Sequence, residues 1–261
     1  MHSKMTAGQR QKHILEEISK EGRISVAEIA VCLNVSEMTV RRDLMGLEKR
    51  GLLKRNHGGA TLLTAQVLDD LYSWSTRIKH HVEAKVAIAN AAVQLIKEGD
   101  RIILHSGTTI AFMARLLRNY GNLTIVTNNV LVSEELMGCT QLDVLLTGGI
   151  LNHDLKQLNG PLTLQSLNSI RADKVFLSCS SVSAQQGLFS TSVQDEVILE
   201  QTSIQNSQEA YLLVDHTKFQ RLDFWVVGQI RQLKAIITNA DVPTHLVQDI
   251  ERQGVQCILA Q

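Results

Sequence analysis

Proline, net charge, paired cysteines and long apolar runs are all scarce or missing in this chain. It has 2 prolines in 261 residues, and no internal repeat or low-complexity tract. Lys plus Arg and Asp plus Glu both number 26, so the whole-chain charge favours no class of partner. Cys32, Cys139, Cys179 and Cys257 are far apart and form no C-x-x-C pair, so nothing suggests a zinc site or a disulfide framework. No apolar stretch approaches the roughly 20 residues of a membrane span, and the N-terminus does not read as a signal peptide. A reducing cytoplasm, without membrane contact, is the expected setting. The length suits one medium domain plus a small one.

Charge is uneven along the chain. Residues 1–60 hold 11 Lys and Arg against 7 Asp and Glu, whereas 61–261 hold 15 against 19. A basic head on an acidic body fits a nucleic-acid module joined to a domain with another task. Within the head, Thr6 to Glu21 reads as a first helix ended by Gly22. Ile24, Val26, Ile29, Ala30 and Leu33 then form an apolar stripe at helical spacing, with Cys32 read as a core residue beside it. Asn34-Val35-Ser36 breaks the stripe, and the Ser36 hydroxyl suits an N-cap. Val40, Leu44 and Leu47 make a second stripe, while Glu37, Thr39, Arg41 and Arg42 occupy the opposite face. A short helix followed by one with a basic outer face is the arrangement that enters a DNA major groove.

That second helix is predicted to run to about Arg50 and stop at Gly51, and Leu52 to Ala60 reads as a short β-wing. The candidate DNA contacts are Ser36, Glu37, Thr39, Arg41 and Arg42, with Lys54, Arg55 and His57 in the wing. Thr61 to about His81 has no clean period and reads as a linker. Trp74 and Tyr72 lie there, outside the basic stretch, and read as packing residues rather than base-stacking ones.

From Val82 onward, short apolar runs alternate with helical segments. Strands are predicted at Arg101–Leu104, Leu123–Val126, Leu142–Leu146, Lys174–Leu177, Ala210–Val214, Ala235–Thr238 and Gln256–Leu259. Helices are predicted near 83–97, 109–119, 129–138, 161–170, 193–206 and 244–253. That alternation predicts a mainly parallel α/β sheet covered on both faces. Ligands of such sheets sit at the carboxyl ends of strands. The loop His105-Ser106-Gly107-Thr108-Thr109 follows one strand and opens a helix, which is a phosphate-cradle composition. A plain strand-to-helix turn with capping hydroxyls has the same composition, and the spacing is not that of a P-loop.

The string Val35-Ser36-Glu37-Met38-Thr39-Val40-Arg41-Arg42-Asp43-Leu44, with Leu47-Glu48, Gly51, Leu53 and His57-Gly58-Gly59-Ala60, resembles the DeoR family of bacterial repressors. The second half is similar to the same family's sensor. Its matches run through Glu83-x-Lys85, Gly99-Asp100, Ser106 to Thr109, Thr127-Asn128-Asn129 and Thr147-Gly148-Gly149. They continue through Gly160, Asp173 to Phe176, Gly187-Leu188, Glu196, Asp215-x-x-Lys218-Phe219 and Ile237 to Ala240. The resemblance implies a winged helix-turn-helix followed by a sensor with the fold of ribose-5-phosphate isomerase. The implied domains are 1–62 for DNA, 63–81 as linker and 82–261 as sensor.

The resemblance also places a phosphorylated sugar on Ser106, Gly107, Thr108 and Thr109, with Asn128, Gly148, Gly149, Asp215 and Lys218 nearby. His105 and His153 are added as polar lining. Two histidines without a third ligand are poor evidence for metal, so no metal, cofactor or catalytic set is expected. The chain departs from the family pattern at four places. His105 stands where Asp is usual, Asn152 where Arg is usual, and Ser178-Cys179-Ser180-Ser181 where Gly-Ala-Asp-Gly is usual. Glu200 and Gln201 replace basic residues. Those losses imply an atypical ligand or weak binding. The expected function is a homo-oligomeric repressor (dimer or tetramer) on double-stranded operator DNA, relieved by a sugar phosphate. The alternatives are a sugar-phosphate isomerase-like enzyme and a DNA binder with an inactive sensor.

Overall fold

The computed structural model describes residues 7–21, 23–49, 53–56, 58–62, 74–219 and 222–261. It forms two compact units, Met1–Arg77 and Ile78–Gln261.

In the first unit, α1 (Ala7–Glu21), β1 (Arg23–Ser25), α2 (Val26–Cys32) and α3 (Glu37–Lys49) precede a hairpin of β2 (Leu53–Asn56) and β3 (Gly59–Leu62). The hairpin and β1 make an antiparallel sheet of order β1-β3-β2. Ile14 and Ile18 of α1, Ile29 of α2 and Val40, Leu44 and Leu47 of α3 close over Leu53 and Ala60 of the wing. Ile24 belongs to β1 rather than to a helix, because residues 23–25 pair with the wing. The hydrogen bond from Val26 N to Gly58 O (2.9 Å) continues that contact. A Cβ on Gly59 would lie 1.8 Å from the Ile24 carbonyl oxygen, so only glycine permits this approach. Cys32 is exposed, contrary to the core reading. The buried positions Val26, Ile29 and Ala30 follow helical spacing, and Cys32 falls off that stripe. A short helix, α4 (Trp74–Arg77), carries a buried Trp74; Tyr72 lies outside the described residues.

The second unit is built on seven parallel strands. In chain order they are β4 (Arg101–Leu104), β5 (Leu123–Thr127), β6 (Leu142–Leu146), β9 (Ala172–Leu177), β12 (Ser207–Leu213), β14 (Ala235–Asn239) and β15 (Gln256–Ala260). Their order is β15-β14-β12-β9-β4-β5-β6. These are the seven predicted strands, β4 and β6 with the predicted ends and the others with ends shifted by one to three residues. Helices α5 (Val82–Val93), α6 (Thr108–Leu117), α7 (Val130–Glu135), α8 (Pro161–Asn168), α9 (Gln194–Gln205) and α10 (Thr244–Glu251) fall where helices were predicted, and each is shorter. Five short strands were not predicted. β7 (Ile150–Asn152) and β8 (Gln157–Asn159) form a hairpin, and β10 (Ser181–Ser183), β11 (Leu188–Thr191) and β13 (Trp225–Gln229) form a small antiparallel sheet.

The chain leaves β4 toward β5 and β6, then returns to β9 on the other side of β4. That reversal opens the crevice where α/β sheets bind ligands, at the carboxyl ends of β4 and β9. The roots of the same two strands are bolted together. Lys174 Nζ lies 2.6 Å from Asp100 Oδ2, both largely buried, while the half-exposed Arg101 guanidinium meets Asp173 at 2.9 Å. Hydrogen bonds and charge from Arg101 hold Asp173 at about 2.

Candidate functional site

Two sites emerge, one in each unit. In the first, Ser36 caps α3: its Oγ accepts from Thr39 N at 3.2 Å and lies 2.9 Å from Thr39 Oγ1. The cap fixes where the helix begins and therefore which residues face outward. Val40, Leu44 and Leu47 are buried, and Arg41 and Arg42 are exposed on the opposite side. Arg41 makes an i,i+4 contact with Glu37 at 3.3 Å, an exposed pair weak enough for a polyanion to displace.

The wing residues behave differently. Arg55 is engaged, its Nε 2.9 Å from Glu48 Oε2 and its main-chain N 3.0 Å from Glu48 Oε1, so it ties β2 to α3. Lys54 sits in β2 opposite Thr61, and His57 lies outside the described residues. Asp43 is buried and holds Arg10 of α1 at 2.7 Å. Sequence reasoning missed that role, since the partner is 33 residues away and no local pattern announces it.

In the second unit the predicted loop residues gather at the crevice. Gly107 caps α6, and Thr108 and Thr109 begin it, both buried. A Cβ on Gly107 would lie 2.7 Å from Ser178 Cβ, so the loops after β4 and β9 touch. Asn129 Nδ2 donates to Ser106 Oγ at 3.0 Å, and its Oδ1 caps α7. Amide groups at the start of a helix attract anions, and Ser106 adds a hydroxyl. Gly149 packs on Asn159 and Thr163, while the Gly148 carbonyl accepts from Thr163 Oγ1 at 2.6 Å.

Asp215 caps the turn His216–Lys218 and accepts from Thr217 N at 3.0 Å. Burial pushes its carboxyl up, but hydrogen bonds from Thr217 and the charges of Lys218 and Lys85 outweigh that and lower it. Lys85, whose Nζ donates to His80 O at 2.7 Å, is thus a buried cation near the site; it stood in the family match Glu83-x-Lys85 but not among the expected ligand residues.

Two sequence candidates stand apart. His105 is 2% exposed, with Nε2 2.9 Å from Ser203 Oγ on α9. Burial lowers its pKa to about 4, so its hydrogen bonding is met inside the core by a neutral ring. It is a packing residue, because the side chain after a buried strand faces the helix layer. His153 is exposed in the β7–β8 turn, which Asn152 organises by accepting from Asp154 N and Leu155 N.

The loop Ser178–Ser181 lacks a carboxylate of its own, yet Asp223 stands beside it. Burial pushes that carboxyl up, against the Ser180 hydrogen bond, the Lys218 charge and the Ser181 hydrogen bond. Its main-chain N donates to Ser181 Oγ and Ser190 Oγ, each at 2.9 Å. Glu200 is enclosed, and burial followed by the Glu196 charge raises it well above the carboxylate range. Among the described residues no group of three or more His, Cys, Asp or Glu is placed to hold a metal. No described helix is long and apolar enough to cross a membrane.

A model of the DeoR-like helix-turn-helix domain matches residues 10–66, and one of the DeoR C terminal sensor domain matches 80–240. The chain belongs to the DeoR family. Its DeoR-family relatives include the HTH-type transcriptional regulator YulB of Bacillus subtilis (strain 168), 32% identical over 97% of this chain and 96% of YulB. The lactose phosphotransferase system repressor of Staphylococcus epidermidis (strain ATCC 12228 / FDA PCI 1200) is 35% identical over 88% of this chain and 91% of its own. Among solved structures, ribose 5-phosphate isomerase A of Methanocaldococcus jannaschii is a distant likeness. It has a TM-score of 0.41 and 19% identity, and the match covers 53% of this chain and 55% of that one. In DeoR-family terms, the first unit is the helix-turn-helix and the second the sensor domain.

Proposed function

We propose that this chain is a transcriptional repressor of a carbohydrate-use operon, released by a phosphorylated sugar. The observation that carries the reading is α3, with its apolar stripe buried and Thr39, Arg41 and Arg42 on the outer side. Arg41 and Arg42 meet bases and phosphates, and Ser36, Glu37 and Thr39 line the same edge. Lys54, Arg55 and His57 are the contacts proposed for the wing segment, with Arg55 acting through Glu48.

In the second unit, Ser106 to Thr109 take the phosphate, with Asn128, Gly148, Gly149, Asp215 and Lys218 around the ligand and His153 at the rim. His105 supports from the core. The name of the staphylococcal relative, lactose phosphotransferase system repressor, favours this ligand class. No chemistry is performed on the sugar, and the setting is the cytoplasm. A homo-oligomer is part of the reading, because the edge strand β6 exposes Val144, Leu145 and Leu146. Free apolar edges invite pairing, and two-fold pairing matches two operator half-sites.

Selection of purified protein against a pool of random duplexes tests the proposal. The expected result is a two-half-site sequence whose retention falls when sugar phosphates are added. Failure to enrich any duplex overturns it.

A further inference from the structure

Among the described residues, seven buried side-chain nitrogen and oxygen atoms have no hydrogen-bond partner, and five of them lie in one neighbourhood. They are Asn128 Oδ1, Thr147 Oγ1, Asn159 Oδ1 and both amide atoms of Gln157. All four side chains are at least nine-tenths buried, and Gln157 is fully enclosed. Unpartnered polar atoms in a protein interior carry an uncompensated desolvation cost, so a concentration of them marks a place made for something else to bind.

The main chain brings these residues together. β8 lies along the segment that follows β5, with Leu158 N donating to Asn128 O at 2.7 Å and Val130 N to Lys156 O at 2.8 Å. Gln157 stands opposite Asn129, the residue whose amide donates to Ser106 Oγ. Thr147 N bonds to Thr127 O at 3.0 Å, and Gly149 packs against the Asn159 main chain. Asn128 Nδ2 is committed to Leu158 O at 3.2 Å, which fixes its Oδ1 as the free atom.

We infer that Asn128, Thr147, Gln157 and Asn159 form an uncharged subsite that reads the hydroxyl groups of a phosphorylated sugar. The inference rests on the proposed sensor role of the second unit and adds the ligand's orientation. Three of the five free atoms are amide oxygens, which accept hydrogen bonds and repel an anion that has no proton to give. The Thr147 hydroxyl and Gln157 Nε2 supply donors. A sugar hydroxyl both donates and accepts, so it satisfies this set, whereas the phosphate is directed to Ser106–Thr109. Gln157 and Asn159 lie on β8 itself, so the β7–β8 hairpin, bonded to the segment after β5, forms one wall of the subsite.

Calorimetric titration of the full chain tests this, using a panel of pentose and hexose phosphates, the same sugars without phosphate, and inorganic phosphate. The variants are Gln157→Leu and Thr147→Val, the second removing only a hydroxyl so that folding is retained. Each is expected to weaken the best-binding sugar phosphate about tenfold or more. Inorganic phosphate affinity and the ligand-free melting temperature should not fall. An unchanged ratio of sugar-phosphate to phosphate affinity in the variants overturns the subsite while leaving the sensor role standing. A wild-type protein that binds nothing in the panel overturns the sensor role and the subsite with it.

Discussion

In the DNA-binding unit, Arg41 and Arg42 stand exposed on α3, while in the sensor Lys174 and Lys85 are buried against Asp100 and a main-chain carbonyl. An exposed guanidinium keeps its charge available to an external polyanion at no desolvation cost. A buried ammonium is committed to its partner and fixes two strands. The same formal charge is therefore left available to an outside anion in one unit and anchors strands in the other.

The largest expected effect lies on the anchoring side. Asp100→Ala leaves Lys174 buried and uncompensated, which should cost the sensor about 3–5 kcal/mol in denaturant unfolding. Asp173→Ala, at the half-exposed Arg101 pair, should cost under about 1 kcal/mol. Equal losses would erase the distinction between the two pairs.

On the recognising side, Arg41→Ala with Arg42→Ala should reduce duplex affinity about 100-fold at moderate salt while the unit melts as before. Gel-shift affinity retained by the double variant would remove these residues from the interface.

The smallest effect concerns a third fate, a charge suppressed by burial. The pKa of His105 is lowered in the folded state from 6.5 to about 4, so the unfolded chain binds the proton first. Its contribution is fully present above about pH 6.5 and is lost as pH falls toward 4, amounting to about 2 kcal/mol by pH 5. His105→Gln should flatten that part of the stability–pH curve, and an unaltered slope would assign it to other groups.

Much of this was legible in the sequence for one physical reason. Strands buried in the middle of the sheet read as unbroken apolar runs, so β4, β5, β9, β12 and β14 stood out; the edge strands β6 and β15 stood out as well, because their residues are largely apolar although partly uncovered. The short strands did not, since Ser181-Val182-Ser183 and Gln157-Leu158-Asn159 have no run to detect and depend on distant partners. The stripes of α2 and α3 were readable at helical spacing, whereas the Arg10–Asp43 pair and the return of Asp223 to the Ser178–Ser181 loop required the fold. His105 read as pocket lining because it precedes the loop; only its contact with Ser203 shows that it turns inward.

The grip of Arg55 on Glu48 has a consequence for control. The wing is joined to α3 by this contact, and α3 is joined through Asp43 to Arg10 of α1, so wing and helices are linked as one body. Under the proposed function, a signal from the sensor would therefore act as a mason does with finished bricks, by changing where whole heads are set.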